Sequence, residues 1–125
     1  MIVGIGVDIV EIARFEKLRK KFGDRFAGRI LTADELIEYE RRGQSCSYLA
    51  LRFAAKEAVA KACGTGIGAE LGFHKIQIDN DVLGKPVLRF LEAASPLVER
   101  LQIRNSFVSL SDEKHYAVAM VVLES

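Results

Sequence analysis

Cysteine, histidine and long apolar stretches are scarce in this chain of 125 residues. The two cysteines, Cys46 and Cys63, lack the spacing of a metal site, so we expect reduced thiols. No apolar run approaches the roughly 18 residues that cross a bilayer. Met1 leads directly into a strand-like segment, without the basic region of a signal peptide. These absences predict a cytoplasmic protein that has no membrane segment.

The overall charge gives no indication of binding to nucleic acid or to a membrane, because the formal net charge is +1. Its distribution is uneven. Segment 11–29 has seven basic and three acidic residues, hence +4, which leaves −3 for the rest of the chain. Such a basic face suits an acidic partner, with a solvated helix surface as the alternative. The lack of an aromatic–basic platform argues against a nucleic-acid binder.

The length of the chain fits one domain, residues 1–125, and we see no repeat, linker or low-complexity segment. Half of the residues are hydrophobic, which is enough for a core. A domain this small exposes much of its surface, so strands that are apolar on both faces favour an oligomer. The final strand, predicted over 115–123, has two apolar faces and is expected to be central or to lie at a subunit contact.

The periodicity of apolar residues predicts an α+β fold in the order β-α-α-α-β-β-α-β-β. The predicted strands are 2–10, 73–79, 87–91, 107–111 and 115–123. The predicted helices are 11–22, 33–42, 52–63 and 92–101, with a short helical piece over 25–31 and a turn over 44–48. Thr32 and Glu35 form a capping box at one helix start. Pro96 is awkward inside the last helix, and Ser95 and Pro96 would alternatively begin a new first turn.

The first strand alternates between two unlike sets of residues. Its β-branched set is expected in the core and comprises Val3, Ile5, Val7 and Ile9. The other set contains Gly4, Gly6 and Asp8, and glycine in a strand often marks close approach of a ligand or another backbone. An aspartate in so apolar a strand is half-exposed or has a cation partner, with a buried structural role as the alternative. The two glycines favour a site.

The long helix presents Phe53, Glu57 and Lys61 on one stripe, because these residues are spaced four apart. The helix ends in a glycine-rich turn, where Gly64 and Gly66 supply the left-handed stop. A carboxylate followed one turn later by a lysine, beside a flexible loop, suits a metal and a phosphate. The alternative is an ordinary Glu–Lys pair along the helix.

Three blocks of sequence, together with the segments Arg25–Thr32 and Asp112–Ala117, are distributed over nearly the whole chain. The three blocks are Gly4–Ile12, with the pattern G-x-G-x-D-I-x-E; Arg52–Gly68, with F-A-A-K-E-A; and Gly84–Pro86, preceded by Asn80 and Asp81. With these blocks the chain resembles the holo-acyl-carrier-protein synthases, a group of small 4′-phosphopantetheinyl transferases. The first two motifs at this spacing are the most specific part of the resemblance.

The resemblance implies an Mg²⁺-dependent transferase that supports fatty acid biosynthesis. Such an enzyme moves the 4′-phosphopantetheine arm of coenzyme A onto a serine of apo acyl carrier protein and releases adenosine 3′,5′-bisphosphate. The implied fold has an antiparallel sheet with a long helix packed on it. The implied assembly is a homotrimer with its active sites between subunits.

The resemblance also implies roles for individual residues. Asp8 and Glu57 match the metal ligands and, with Lys61 near the phosphates, the catalytic set. Lys61 would steady the departing phosphate or donate a proton to it. Positions that hold coenzyme A are matched by Arg52, Gly64, Thr65, Gly66, Lys85 and Pro86. Arg14 and Arg25 match basic positions that grip the acidic helix of the carrier protein.

The chain departs from the family pattern at Phe107 and Asp112, where several members carry histidines. The base is then Glu57, a metal-bound water or an unidentified group, and His115 beside the last turn is a weaker candidate. A non-catalytic module that binds carrier protein through Arg14 and Arg25 is the alternative function. Under that alternative, Asp8 and Glu57 would be dispensable.

Overall fold

The computed structural model describes residues 1–125 and has the predicted α+β architecture. The strands are β1 (Ile2–Glu11), β2 (Ile76–Asn80), β3 (Pro86–Phe90), β4 (Asn105–Asp112) and β5 (Tyr116–Glu124). The helices are α1 (Ile12–Phe22), α2 (Asp24–Ile30), α3 (Ala33–Arg41), α4 (Cys46–Cys63) and α5 (Ser95–Arg100). One antiparallel sheet has the order β1-β5-β4, and β2 and β3 form a separate antiparallel hairpin. None of the helices is long and apolar enough to span a membrane.

Strand β5 is the central strand of the larger sheet, as its two apolar faces predict. It pairs with β1 on one side and β4 on the other. Its inner side chains are fully buried and face α4; they are Ala117, Ala119, Val121 and Leu123. The sheet and the long helix therefore form the two layers of the core.

Helix α4 begins at Cys46, so the turn predicted over 44–48 is wrong from that residue onward. The Ser45 hydroxyl accepts a hydrogen bond from the Tyr48 backbone N–H at 3.1 Å and caps the helix. Gly64 ends it with φ 76°, as predicted. The alanines on α4 are buried, which lets the helix lie close to the sheet.

The two sets of side chains on β1 lie on the faces opposite to those predicted. The set that contains Gly4, Gly6 and Asp8 faces α4, and the set that contains Ile5 faces away from it. A Cβ at Gly4 would lie 1.9 Å from the Ala62 carbonyl oxygen, and one at Gly6 would lie 1.8 Å from that of Ala58. The close approach that these glycines allow is therefore made by the backbone of α4 and not by a ligand. Consequently Asp8 also points to the helix side of the sheet.

Three of the four β-branched side chains predicted in the core lie instead on the outer face of the sheet, whereas Val3 is partly buried against the core. Ile5, Val7 and Ile9 are 56%, 52% and 60% exposed. Phe107 on β4 and Met120 on β5 are exposed beside them. We call this surface, formed by Ile5, Val7, Ile9, Phe107 and Met120, the outer sheet face. An apolar surface of this kind is typical of a protein–protein contact.

Two other segments refine the predicted boundaries. The strand predicted over 73–79 begins only at Ile76, because Phe73–Lys75 is a 3₁₀ turn in which His74 Nε2 lies 2.7 Å from the Gly28 carbonyl oxygen. The helix predicted over 92–101 is divided into a 3₁₀ turn, Glu92–Ala94, and α5, which has Pro96 in its first turn. The Thr32–Glu35 capping box is present.

Candidate active site

Asp8 and Lys61 meet although they are far apart in sequence. Lys61 Nζ lies 3.1 Å from Asp8 Oδ1 and 3.0 Å from the Val7 carbonyl oxygen. The lysine thus bonds across from α4 to β1 and does not form the ordinary ion pair with Glu57 along the helix. Its side chain is 52% exposed while that of Asp8 is 15% exposed, so the lysine has room to contact a ligand.

Glu57 lies close enough to Asp8 for the charge of Asp8 to shift the pKa of the Glu57 carboxyl. Burial raises the pKa of the Glu57 carboxyl, and the negative charge of Asp8 raises it further. The positive charges of Lys61 and Arg14 act in the opposite direction. The two acids that the sequence singles out therefore act on one another across the β1–α4 contact. We call Asp8, Glu57 and Lys61 the carboxylate site.

The carboxylate site suits a divalent cation by one specific criterion. Asp8 Oδ2 is buried and has no hydrogen-bond partner, which is costly for a carboxylate oxygen unless a ligand contacts it. Mg²⁺ typically takes one or two carboxylates together with substrate phosphates and water. The structure contains no group of three or more metal-ligating side chains, so any ion held by Asp8 and Glu57 would take its other ligands from substrate and water.

The glycine-rich turn after α4 follows the carboxylate site by one helical turn. Gly64 and Gly66 both have positive φ, of 76° and 66°, and both are exposed. The Thr65 N–H donates to the Ala60 carbonyl oxygen at 3.1 Å and its hydroxyl donates to the Gly66 carbonyl oxygen at 2.9 Å. These bonds fix the turn next to Lys61 with its glycines open to solvent.

Arg52 belongs to a different region, a cleft of about 680 Å³ between α3, the first half of α4 and the β2–β3 hairpin. Its guanidinium Nη2 donates to Asn80 Oδ1 at 2.6 Å and lies over the Tyr48 ring at 4.5 Å. Arg52 is 3% exposed, and its buried Nε has no partner. We call this the Arg52 cleft. Its lining is mixed in charge, and it comprises Asp34, Glu35, Glu38, Arg41, Arg42, Tyr48, Arg52, Ile78, Asp79, Asn80, Asp81, Val82 and Gly84.

Lys85 and Pro86 adjoin the Arg52 cleft without lining it. They directly follow Gly84 in the β2–β3 hairpin, and the Lys85 N–H donates to Asp81 Oδ1 at 2.9 Å. Arg52 lies one residue before Phe53, which begins the stripe of Glu57 and Lys61 on α4. Within this chain, the predicted coenzyme A residues are therefore divided between the Arg52 cleft and the glycine-rich turn beside the carboxylate site.

The two arginines predicted to bind a partner lie on α1 and α2. The Arg14 guanidinium is 5.6 Å from the Phe53 ring, and its charge acts on Glu57, so it borders the carboxylate site. Arg25 lines a smaller pocket of about 180 Å³ with Lys21, Phe22, Phe26 and Arg29. Both arginines are exposed, which leaves them free to contact an acidic partner.

The sequence analysis missed a buried ion pair between Lys56 and Glu35. Lys56 Nζ lies 2.5 Å from Glu35 Oε1, and neither side chain is accessible beyond 1%. Burial lowers the pKa of Lys56, and the charge of Glu35 opposes this shift. A signal was present, because Lys56 follows Arg52 by four residues on one helix face, and a lysine requires a partner when that face is buried.

The residues at the family's histidine positions lie outside the carboxylate site. Phe107 belongs to the outer sheet face, and Asp112 is the last residue of β4. His115 is exposed in the β4–β5 turn, where its carbonyl oxygen accepts from the Ile12 N–H at 2.8 Å. None of these contacts indicates a base.

Comparison with known proteins agrees with this geometry. Residues 4–121 match the model of the 4′-phosphopantetheinyl transferase superfamily. A holo-acyl-carrier-protein synthase of Shewanella frigidimarina is 56% identical over 124 residues, covering 99% of this chain and 98% of the relative.

Two solved structures extend the comparison to the fold. The Neisseria meningitidis holo-acyl-carrier-protein synthase has a TM-score of 0.95 at 50% identity, with 100% of both chains covered. The Helicobacter pylori enzyme, solved in complex with coenzyme A, has a TM-score of 0.86 at 34% identity and covers 96% of this chain and 99% of that one. The chain belongs to the 4′-phosphopantetheinyl transferase superfamily, and within it to the holo-acyl-carrier-protein synthases.

Proposed function

We propose that this protein transfers the 4′-phosphopantetheine arm of coenzyme A to a serine of apo acyl carrier protein, in the cytoplasm, for fatty acid synthesis. The observation that carries the proposal is the carboxylate site, where the unpartnered Asp8 oxygen faces the same region as Glu57 and Lys61. Relatives named for this activity, and one solved with coenzyme A, support it.

In the proposed reaction the serine oxygen attacks the phosphorus next to the pantetheine, and the bond to adenosine 3′,5′-bisphosphate breaks. Mg²⁺ held by Asp8 and Glu57 would supply charge neutralisation on the pyrophosphate. Lys61, fixed by Asp8 and the Val7 carbonyl oxygen, directs its ammonium group to the departing phosphate. The Glu57 carboxylate is a candidate acceptor for the serine proton by its place in the carboxylate site.

Coenzyme A would place its nucleotide in the Arg52 cleft. The buried Arg52 lacks a partner at Nε, which suits a phosphate oxygen. Arg41 and Arg42 in the lining are both paired with Glu38, so Arg52 carries this proposal. Gly64, Thr65 and Gly66 would approach the arm by their backbone, and Lys85 and Pro86 would border the nucleotide from the hairpin.

Replacement of Arg52 by lysine is expected to weaken coenzyme A binding. Lysine cannot reproduce the planar contacts with Asn80 and the Tyr48 ring, so we expect the KM for coenzyme A to rise about tenfold. The KM for carrier protein should change little. Steady-state kinetics with each substrate varied in turn measures both, and equal changes in the two KM values would count against a nucleotide role.

A homotrimer with active sites between subunits would bring the two groups of residues together. The Arg52 cleft of one subunit would then serve the carboxylate site of its neighbour, and the outer sheet face would be covered. Placing a charge on that face by Ile5→Lys is expected to reduce the mass of the assembly in light scattering. Ile37→Lys, at a 69% exposed position on α3, is the matched control and should leave the mass unchanged. An unchanged mass for both variants would contradict the proposed interface.

Carrier protein would bind through the basic residues of α1 and α2. We expect Arg14→Glu and Arg25→Glu each to raise the KM for carrier protein about tenfold, because each reverses a charge that faces an acidic helix. Coenzyme A affinity should remain unchanged for Arg25→Glu, which lies away from the carboxylate site. Lys114→Glu, an exposed charge reversal in the β4–β5 turn, controls for net charge. A rise in KM of the same size for Lys114→Glu would indicate a nonspecific effect.

The direct test of the function is incubation with apo carrier protein, coenzyme A and Mg²⁺, followed by intact-mass measurement of the carrier. A gain of one phosphopantetheine that a chelator abolishes is the expected result. Binding of carrier protein without any mass gain would instead support the non-catalytic module.

A further inference from the structure

A buried lysine lies beneath the Arg52 cleft, and no step of the proposed reaction uses it. Lys56 Nζ donates to Glu35 Oε1 at 2.5 Å, to the Ile30 carbonyl oxygen at 2.7 Å and to the Phe73 carbonyl oxygen at 3.0 Å. All three donor positions of the ammonium group are thus satisfied. A buried ion pair is weak evidence for stability, since apolar residues of similar volume often serve as well. Its position therefore calls for another explanation.

The partner carboxylate joins three elements of the fold. Glu35 Oε1 also accepts from the Thr32 N–H at 2.9 Å, and Oε2 accepts from the Ile78 N–H at 2.8 Å. The Tyr48 hydroxyl lies 3.3 Å from the Glu35 carbonyl oxygen. Glu35 thereby ties the start of α3 to α4 and to β2. We call Glu35, Lys56 and these partners the Glu35 network.

The Glu35 network supports the residues that line the Arg52 cleft. Glu35, Tyr48 and Ile78 belong to the lining themselves. Two residues beyond Ile78 in β2, Asn80 accepts from Arg52 Nη2. Tyr48, Arg52 and Lys56 are spaced four apart, so they form one stripe of α4. The position of β2 against this stripe sets where Asn80 holds the Arg52 guanidinium.

We propose that Lys56 and Glu35 are positioning residues for coenzyme A, which fix β2 against α4 so that Arg52 and Asn80 receive the nucleotide. The inference rests on the proposed function, because it assumes that the nucleotide occupies this cleft. It assigns a role to the lysine of F-A-A-K-E-A that precedes Glu57. A displacement of Arg52 by about 1 Å is enough to weaken a positioned contact severely.

The alternative is that the Lys56–Glu35 pair only stabilises the fold. The double variant Glu35→Gln/Lys56→Met distinguishes this structural role from the positioning role. This variant removes both buried charges together, so no uncompensated charge remains, and we expect it to fold. The amide oxygen at position 35 can accept from the Thr32 N–H or from the Ile78 N–H but not from both, and the link to α4 is lost. If the pair only stabilises the fold, a folded double variant will bind nucleotide normally.

The experiment is calorimetric titration of each protein with adenosine 3′,5′-bisphosphate, together with both KM values and kcat. We expect the double variant to bind the nucleotide about tenfold more weakly and to show a similar rise in the KM for coenzyme A. The KM for carrier protein and kcat should change less than about threefold. Val59→Ala, a fully buried change on α4 outside the cleft lining, is the control; it should lower the thermal midpoint and leave nucleotide affinity unchanged.

Wild-type nucleotide affinity in the folded double variant would overturn the inference. An equal loss of affinity in Val59→Ala would also overturn it, by showing that lost stability alone is responsible. If the double variant does not fold, Lys56→Met alone is judged by the same criterion, because Glu35 then keeps the hydrogen bonds from the Thr32 and Ile78 N–H groups. If the wild-type protein binds the nucleotide but transfers nothing to carrier protein, the proposed function fails, while the affinities still decide the positioning role.

Discussion

Asp8→Asn and Glu57→Gln are each expected to lower the rate of phosphopantetheine transfer about a thousandfold. Each change keeps the shape of the side chain but removes a carboxylate from the carboxylate site, where the proposed reaction would neutralise charge on the pyrophosphate. Intact-mass kinetics at saturating coenzyme A and carrier protein measures the rate. Glu99→Gln, an exposed acid on α5, is the matched control and should retain the wild-type rate.

The same variants should remain folded, which separates chemistry from stability. The raised pKa of Glu57 means that its ionised form is disfavoured in the folded state. The resulting cost to stability is present above the folded-state pKa and absent below the ordinary pKa, so at neutral pH the Glu57→Gln change removes it. In a chelating buffer the thermal midpoint of Glu57→Gln should therefore equal or exceed that of the wild type. A lower midpoint with a proportionate loss of rate would show that Glu57 is structural.

Gly6→Ala is expected to prevent normal packing of α4 on the sheet. The new methyl group would lie 1.8 Å from the Ala58 carbonyl oxygen, which is backbone and cannot rotate away. We expect a loss of at least about 3 kcal/mol in the free energy of unfolding. The thermal midpoint should accordingly fall by about 10 °C or more. Asp8 and Lys61 meet across the same β1–α4 contact. Any Gly6→Ala protein that folds should therefore also transfer phosphopantetheine slowly.

Gly28→Ala is the matched control for this prediction. Gly28 lies within α2, and a Cβ there would meet nothing within 4 Å. Alanine is favoured over glycine in a helix by about 0.5–1 kcal/mol, so this variant should be slightly more stable than the wild type. A midpoint for Gly6→Ala equal to that of Gly28→Ala would mean that α4 does not press against β1 as described.

Local sequence signals predicted most elements because they act within a few residues. The Thr32–Glu35 capping box and the Gly64 stop each depend on hydrogen bonds or dihedral angles of adjacent residues, and both are present. The start of α4 was missed because Ser45, its N-cap, lies in a polar segment that also suits a turn. Such ambiguity is resolved only by the packing of the helix.

The orientation of β1 could not be predicted from its alternation. The alternation along β1 shows that its two faces differ, but it does not say which face packs on the helix. The more apolar, β-branched face was the expected one. The helix packs on the glycine face because only there can two backbones approach closely. In the proposed homotrimer the exposed β-branched face would be covered by another copy of the chain, and the alternation within one strand does not indicate how copies pack.

The residues of the candidate site were predicted through the family resemblance, and the structure explains part of their arrangement. It brings Asp8, Glu57 and Lys61 together and places Arg52 in a separate cleft. The Lys56–Glu35 pair was missed because the two residues are 21 positions apart and each had a local explanation. Glu35 was accounted for by its capping box and Lys56 by helix propensity.

The most direct measurement for the whole account is binding of Mn²⁺, as a spectroscopic substitute for Mg²⁺, in the presence of coenzyme A. Electron paramagnetic resonance titration of the wild-type protein should show one ion bound per subunit. Asp8→Asn/Glu57→Gln should bind the ion at least about tenfold more weakly, because two of its hard oxygen ligands lose their charge. Equal Mn²⁺ affinity in the two proteins would contradict the assignment of Asp8 and Glu57 to a shared cation.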